Sequence, residues 1–174
     1  VSAPTGVCEA PWSSIVEMIF NPWPTATDAC TGKLIPGVAV IGDSVELTNN
    51  TDTILKVGAY DIKRIFIDTT INEVATVCEQ KLVLQSDKKP IFDCQSLSHD
   101  TIFIEGCDTT LSEQDIEYPF AIDACTGDSI QGVGKRLDGG PLFGLYPVGT
   151  TIIRWVFTSP YSTKTDSCDQ SLTI

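Results

Sequence analysis

The chain has no run of 18 or more apolar residues, so no stretch of it can cross a bilayer as a helix. It is also poor in basic residues: 11 Lys plus Arg stand against 23 Asp plus Glu, a formal net charge of −12. Phosphate binding needs clustered Lys and Arg, and so does attraction to an anionic membrane surface, so both partners are disfavoured. There is one histidine and no Cys-x-x-Cys, which removes the usual zinc shells. No acidic loop of the Asp-x-Asp-x-Asp-Gly type is found, so an EF-hand calcium loop is absent. No window keeps a 3.6-residue apolar period over three turns, which argues against a helical fold. The opening Val1-Ser2-Ala3-Pro4-Thr5-Gly6 has neither a basic start nor an apolar segment. The last residues, Ser171-Leu172-Thr173-Ile174, fall inside a strand-like run, and the chain reads as an excerpt of a longer protein.

What remains is a globular composition, 42% hydrophobic and 20% charged, with seven dispersed cysteines in 174 residues. Cysteines spread through a strand-rich chain point to a disulfide framework and an oxidising compartment.

The strongest signal is an internal repeat. Asp28-Ala29-Cys30-Thr31-Gly32 returns as Asp123-Ala124-Cys125-Thr126-Gly127, and Ile35-Pro36-Gly37-Val38 as Ile130-Gln131-Gly132-Val133. Val57-Gly58 matches Val148-Gly149, Arg64-Ile65-Phe66-Ile67 matches Arg154-Trp155-Val156-Phe157, and Cys78-Glu79-Gln80 matches Cys168-Asp169-Gln170. The blocks keep their order while the offset drifts only from 95 to 90, so a unit of about 90 residues fills the chain twice. The polar stretch Gln85-Ser86-Asp87-Lys88-Lys89-Pro90 separates them, giving expected units 1–86 and 87–174. The second holds Cys94, Cys107, Cys125 and Cys168; the first holds Cys8, Cys30 and Cys78, matching the last three. The counterpart of Cys94 would lie upstream of Val1, which accounts for the odd count.

Short β-branched runs bounded by turn residues predict strands at 15–20, 38–41, 62–67, 101–104 and 152–157. Seven or so such strands per 90 residues suggest all-β, immunoglobulin-like sandwiches, with the first strand of the first unit missing.

Val148-Gly149-Thr150-Thr151-Ile152-Ile153-Arg154-Trp155-Val156, then a turn, Cys168 and a closing strand, resembles the hyalin repeat (HYR) domain. So do the aspartates one residue before a cysteine in Asp28-Ala29-Cys30 and Asp123-Ala124-Cys125, and the opening Ile91-Phe92-Asp93-Cys94. The resemblance covers both copies nearly end to end. It departs in the turn before the last cysteine, where the family's Asp-x-x-Gly-Asn is replaced by Asp68-Thr69-Thr70-Ile71-Asn72 and Ser159-Pro160-Tyr161-Ser162, so the chain resembles a divergent relative. It implies disulfide-stapled sandwich modules serving as extracellular spacers and adhesive units, in arrays such as those of secreted and gliding-motility adhesins of Bacteroidetes-type bacteria.

Four cysteines per unit allow three pairings, which sequence leaves open. A sandwich whose first strand runs beside its last favours Cys94–Cys168, leaving Cys107–Cys125. By the repeat, Cys8 then pairs with Cys30, and Cys78 with a cysteine upstream of Val1.

The extracytoplasmic O-glycosylation of such bacteria uses Asp, then Ser or Thr, then a small or apolar residue. Six matches place acceptor hydroxyls at Ser44, Thr53, Thr69, Thr101, Thr109 and Ser129. Composition alone predicts about one match. The competing reading is that Asp-Ser/Thr pairs decorate turns. Asn49-Asn50-Thr51 is an N-glycosylation sequon.

Three further features carry a chemical reading beside a structural one. Ser98-His99-Asp100 has the residue types of a triad, but consecutive strand residues point to opposite faces, which leaves His99 a surface residue. Asp28 and Asp123 are the weak candidates for Ca²⁺, against turn capping through side chain to backbone hydrogen bonds. Trp12 and Trp23 could stack on a sugar, against a packing role, while Trp155 aligns with Ile65 and is expected in the core. The expectation is a non-enzymatic structural or adhesive repeat at the cell surface, needing no cofactor. Its expected partners are neighbouring repeats, with self-assembly or surface glycans beyond them. The alternative is an accessory carbohydrate-binding module of a secreted enzyme.

Overall fold

The computed structural model describes residues 1–19, 25–41, 45–47, 53–68, 73–97 and 99–174. The chain is all-β and divides into two compact units, Val1–Asp87 and Lys88–Ile174, within the polar stretch at 85–90.

In the first unit the order is β1 (Glu9–Pro11), α1 (Trp12–Ile19), β2 (Thr25–Thr27), β3 (Leu34–Ile41), β4 (Val45–Leu47), β5 (Ile54–Lys56), β6 (Gly58–Asp68) and β7 (Glu73–Leu84). The antiparallel ladder β2-β3-β6-β7 forms the main sheet, β4 pairs with β3, and β1 pairs with β5. The second unit begins with a 3₁₀ turn at Cys94–Ser96. It continues with β8 (Asp108–Leu111), β9 (Phe120–Ile122), β10 (Ser129–Gln131), β11 (Val133–Arg136), β12 (Gly144–Pro147), β13 (Thr150–Thr158) and β14 (Thr165–Thr173). Its sheet is β11-β13-β14, with β9 on β10 and β8 on β12.

Apart from the β3-β4 pair of the first unit, the two pairing schemes correspond. β1-β5 corresponds to β8-β12, β2-β3 to β9-β10, β3-β6 to β11-β13, and β6-β7 to β13-β14. Single hydrogen bonds repeat as well: Val57 N–H donates to Cys8 O at 2.7 Å, and Val148 N–H to Cys107 O at 3.0 Å. Val38 faces Ile65 across the ladder, and Val133 faces Val156. The residue before each valine is glycine for a steric reason. A Cβ on Gly37 would lie 2.8 Å from the Phe66 ring, and one on Gly132 would lie 2.9 Å from the Phe157 ring.

This register corrects one match made on sequence. β13 follows β6 by 91 residues, not 90, so Phe157 corresponds to Phe66 and Trp155 to Arg64 rather than Ile65. Arg64 lies opposite Cys78 and Trp155 opposite Cys168. A slip of one residue exchanges the two faces of a strand, and burial agrees with the shifted match. Ile62 and Phe66 are buried with Ile65 half-buried; Ile153 and Phe157 are buried with Val156 half-buried.

The core of the second unit gathers inward residues of β13 and β14 (Ile153, Trp155, Phe157, Cys168, Leu172) against Leu111, Ala121 and Tyr146 from the facing ladders. Two β layers closing on one apolar interior make a sandwich-like arrangement.

Two expected strands are not formed. Residues 15–19 lie in α1, because Trp12, Ile15 and Val16 recur at helical spacing and bury one face, while Glu17 and Met18 stay exposed. The entry of the helix is anchored from outside, Trp12 N–H donating to Thr53 O at 2.7 Å. The expected strand at 101–104 is reduced to one bridge, Thr101 to Thr173, and Phe103 is left 91% exposed.

Candidate functional site

The repeated Asp-Ala-Cys-Thr-Gly turn is the element most nearly identical in both copies. Asp28 Oδ1 accepts from Cys30 N–H at 2.9 Å and Thr31 N–H at 2.6 Å; Asp123 Oδ1 accepts from Cys125 N–H and Thr126 N–H, both at 2.8 Å. The closing glycines, Gly32 and Gly127, have φ of +70° and +78°, a conformation a side chain would strain. Asp123 is buried and takes a third hydrogen bond, from the Ser159 hydroxyl, on Oδ2. Burial raises the pKa of Asp123, but the hydrogen bonds from Ser159, Thr126 and Cys125 outweigh it and hold the carboxyl below its ordinary value. The carboxylates thus hold a turn together. Among the described residues no group of three or more His, Cys, Asp or Glu is placed to hold a metal ion.

Gln80 and Gln170 also act alike. Arg64 Nη2 donates to Gln80 Oε1, and Trp155 Nε1 donates to Gln170 Oε1 at 2.9 Å. Both glutamines stand in a repeated block, so the signal was present in the sequence, but their role needed the register. A second missed cluster belongs to the second unit alone. Arg136, 3% exposed, donates to Asp138 Oδ1 from Nε at 3.0 Å and to Leu145 O from Nη1 at 2.7 Å, with its guanidinium 4.0 Å above the Tyr146 ring. The Asp138 contact holds Arg136 above and Asp138 below their ordinary values. At the corresponding positions the first unit has Ile41 and Leu55, so this clamp serves the 137–145 loop and not a shared chemistry.

His99 is exposed, and its Nδ1 lies 2.7 Å from the Ser171 hydroxyl and accepts from Ser171 N–H at 3.3 Å. Asp100 is exposed too, and Ser98 lies outside the described residues. A groove of about 300 Å³ lined by Phe92, Leu97, Tyr118 and Gln170 does not include His99. Trp12 and Trp155 are fully buried, so neither ring is available for stacking; Trp23 lies outside the described residues, as does the Asn49 sequon.

Cys94 and Cys168 form a disulfide with Cα atoms 5.6 Å apart. The expected Cys107–Cys125 and Cys8–Cys30 bonds are not formed, since Cys30 and Cys107 carry free, exposed thiols. Cys107 sits at the start of β8, tied to Val148, while Cys125 is held in the turn between β9 and β10; Cys8 is tied to Val57, while Cys30 is held in the turn between β2 and β3. In each pair the two residues belong to different ladders. Cys78 is also free and exposed.

Of the acceptor hydroxyls, Thr101 and Ser129 are exposed and Thr53 and Thr109 are half-buried; Ser44 and Thr69 lie outside the described residues. No helix among the described residues is long and apolar enough to cross a membrane. Comparison with protein-family models, with curated proteins and with solved structures finds no match to this chain.

Proposed function

We propose that the chain is a pair of divergent hyalin-repeat-like, immunoglobulin-like modules from a secreted or cell-surface protein, with a structural and adhesive role and no catalysis of its own. The observation that carries this reading is what repeats. Residues held in common set the turn (Asp28 and Asp123), the register (Gly37 and Gly132) and the glutamine bond on the last strand (Gln80 and Gln170). Exposed residues differ: Phe103, the most exposed large apolar side chain described, corresponds to Pro4. In an array, selection acts on length, stiffness and resistance to proteolysis, which the shared residues supply. A disulfide and an acidic surface suit an oxidising exterior. The four described acceptor hydroxyls are exposed or half-buried, as glycosylation requires, and sugars there would limit pairing between strand edges of neighbouring molecules.

The test is to purify the protein from its native host and measure intact mass and protease survival together. The reading predicts added hexose-type mass on one or more of the six acceptors. It also predicts a second unit that survives a broad-specificity protease until its Cys94–Cys168 disulfide is reduced. Unmodified material that is degraded as fast before reduction as after it would contradict the reading.

A further inference from the structure

One edge of the main sheet is covered in the first unit and open in the second. In the first, β4 lies along β3, with Leu47 opposite Ala39, Glu46 opposite Val40 and Val45 opposite Ile41. The matching stretch of β11 is residues 134–136, and among the described residues β11 has β13 as its only strand partner. Leu137 N–H donates to Ile152 O at 2.9 Å. Carried back along the ladder, that register hydrogen-bonds Lys135 to Arg154 and Val133 to Val156. The N–H and C=O of Gly134 and the N–H of Arg136 are thereby turned outward, while Arg136 C=O accepts from Gly139 N–H at 3.4 Å. Pro119 accepts from Gly132 N–H at 2.8 Å but has no N–H to give back, and the β9-β10 ladder ends beside it.

Beside this edge runs a groove of about 350 Å³ lined by Tyr118, Gln131, Gly132, Val133, Gly134 and Leu142. Val133 is 72% exposed. The charges that cross the sheet here are unbalanced. In the first unit the row of opposed positions reads Glu46, Val40, Lys63, Glu79, one cation between two acids. In the second it reads an empty place, then Lys135, Arg154 and Asp169. Asp169 accepts from Arg154 Nε at 2.7 Å and Nη2 at 2.8 Å. Lys135 therefore faces a second cation and has no ion-pair partner among the described residues. Like charges directly opposed across a ladder repel, so an acid in the empty place would relieve the row.

We propose that the open edge of β11 takes an extended acidic segment of another protein as an added antiparallel strand, in the register of β4, with a carboxylate residue opposite Lys135 and an apolar residue on either side. The outward groups of Gly134 and Arg136 make the backbone hydrogen bonds, and the carboxylate balances Lys135. The apolar residue opposite Gly134 enters the groove between Tyr118 and Leu142, where the glycine leaves room for it. The first unit has this arrangement within its own chain, with Glu46 as the acid between Val45 and Leu47. A second copy of β11 fits less well. Antiparallel pairing of two such edges through Gly134 and Arg136 sets Lys135 against Lys135, and a lysine so placed acts against self-pairing. Strand addition at this edge is independent of the adhesive reading.

The experiment uses the isotopically labelled chain 1–174 and a synthetic peptide of residues 43–49, which carries the apolar-acidic-apolar pattern of β4. One control peptide carries Glu46→Lys, and a second carries a methyl group on the backbone nitrogen of Leu47. Binding is followed by amide chemical shifts and amide exchange. The parent peptide should shift the amides of Gly134 and Arg136 and slow their exchange. Reversing the charge should weaken binding about fivefold at low salt and less at high salt. Removing the Leu47 N–H should weaken it about tenfold, because the Gly134 carbonyl then has no strand donor. No shift at Gly134 and Arg136 with millimolar peptide, or equal affinity for the parent and either control, would overturn the proposal. So would shifts at Ala39 and Ile41 of β3 in their place, or dimerisation of the chain through the Gly134 and Arg136 amides without peptide.

Discussion

The first unit reaches the pairing scheme of the second with different materials. Where the second buries Trp155 opposite Cys168, the first places the half-exposed Arg64 opposite Cys78. Where the second uses the loop clamp of Arg136 over Tyr146, the first has Ile41 and Leu55, and where the second runs through irregular chain before β9, the first inserts the helix α1. Both still bring a glycine against a phenylalanine between the third-strand position and β6 or β13, and both hold the preceding turn with an aspartate. The register is thus set by a few steric and hydrogen-bonding positions, while bulky core residues can be exchanged around them.

The difference can be tested by making matched changes in the two units, read by amide exchange or denaturant unfolding resolved by unit. Trp155→Ala removes a fully buried ring and the hydrogen bond its Nε1 gives Gln170, and should cost the second unit about 3–5 kcal/mol. Arg64→Ala, at the matching position, should cost the first unit about 1 kcal/mol or less. Similar losses in the two would deny that Trp155 has taken over a role that Arg64 fills only at the surface. Next in size is the disulfide. Replacing Cys94 and Cys168 together by serine opens a 74-residue separation and should destabilise the second unit by about 4 kcal/mol on the chain-entropy account, with the first unit's midpoint unchanged.

The turn aspartates should give the smallest effect and the closest match. Asp123→Ala should cost about 2 kcal/mol and Asp28→Ala about 1 kcal/mol, the excess reflecting the added Ser159 bond and the burial of Asp123. Because the folded pKa of Asp123 is depressed, its stabilisation is fully present above the unfolded carboxylate value of about 3.9 and is lost as pH falls through the lower folded value. The stability gap between Asp123→Ala and the parent should therefore be wide at neutral pH and narrow in strong acid. A gap that widens on acidification would contradict the turn-anchor role.

Much of this was legible in the sequence. The repeat, the all-β class, the turn and the Cys94–Cys168 bond follow from blocks whose function is local or whose spacing is fixed. The parts that were not legible depend on what lies across the chain. Residues 12–19 alternate too little for a strand, but their β-branched content hides the helical spacing of Trp12, Ile15 and Val16. The one extra residue that the first unit carries between β6 and β7, at the bulge after Phe66, takes the offset from 91 to 90 and is invisible until the ladder is paired. The Cys107–Cys125 and Cys8–Cys30 bonds were inferred by elimination, and elimination assumes that every remaining cysteine is paired, whereas Cys30 and Cys107 are free thiols. Arg136 carried no signal because an Arg two residues before an Asp is common, and its meaning comes from Tyr146 ten residues on.

The central claim is that both units share one strand register at an offset of 91 residues between β6 and β13. Interstrand nuclear Overhauser contacts measure it directly. The account predicts that Val38 contacts Ile65 and that Val133 contacts Val156 as directly opposed partners. Contacts placing Val133 opposite Trp155, the partner required by an offset of 90, would contradict it.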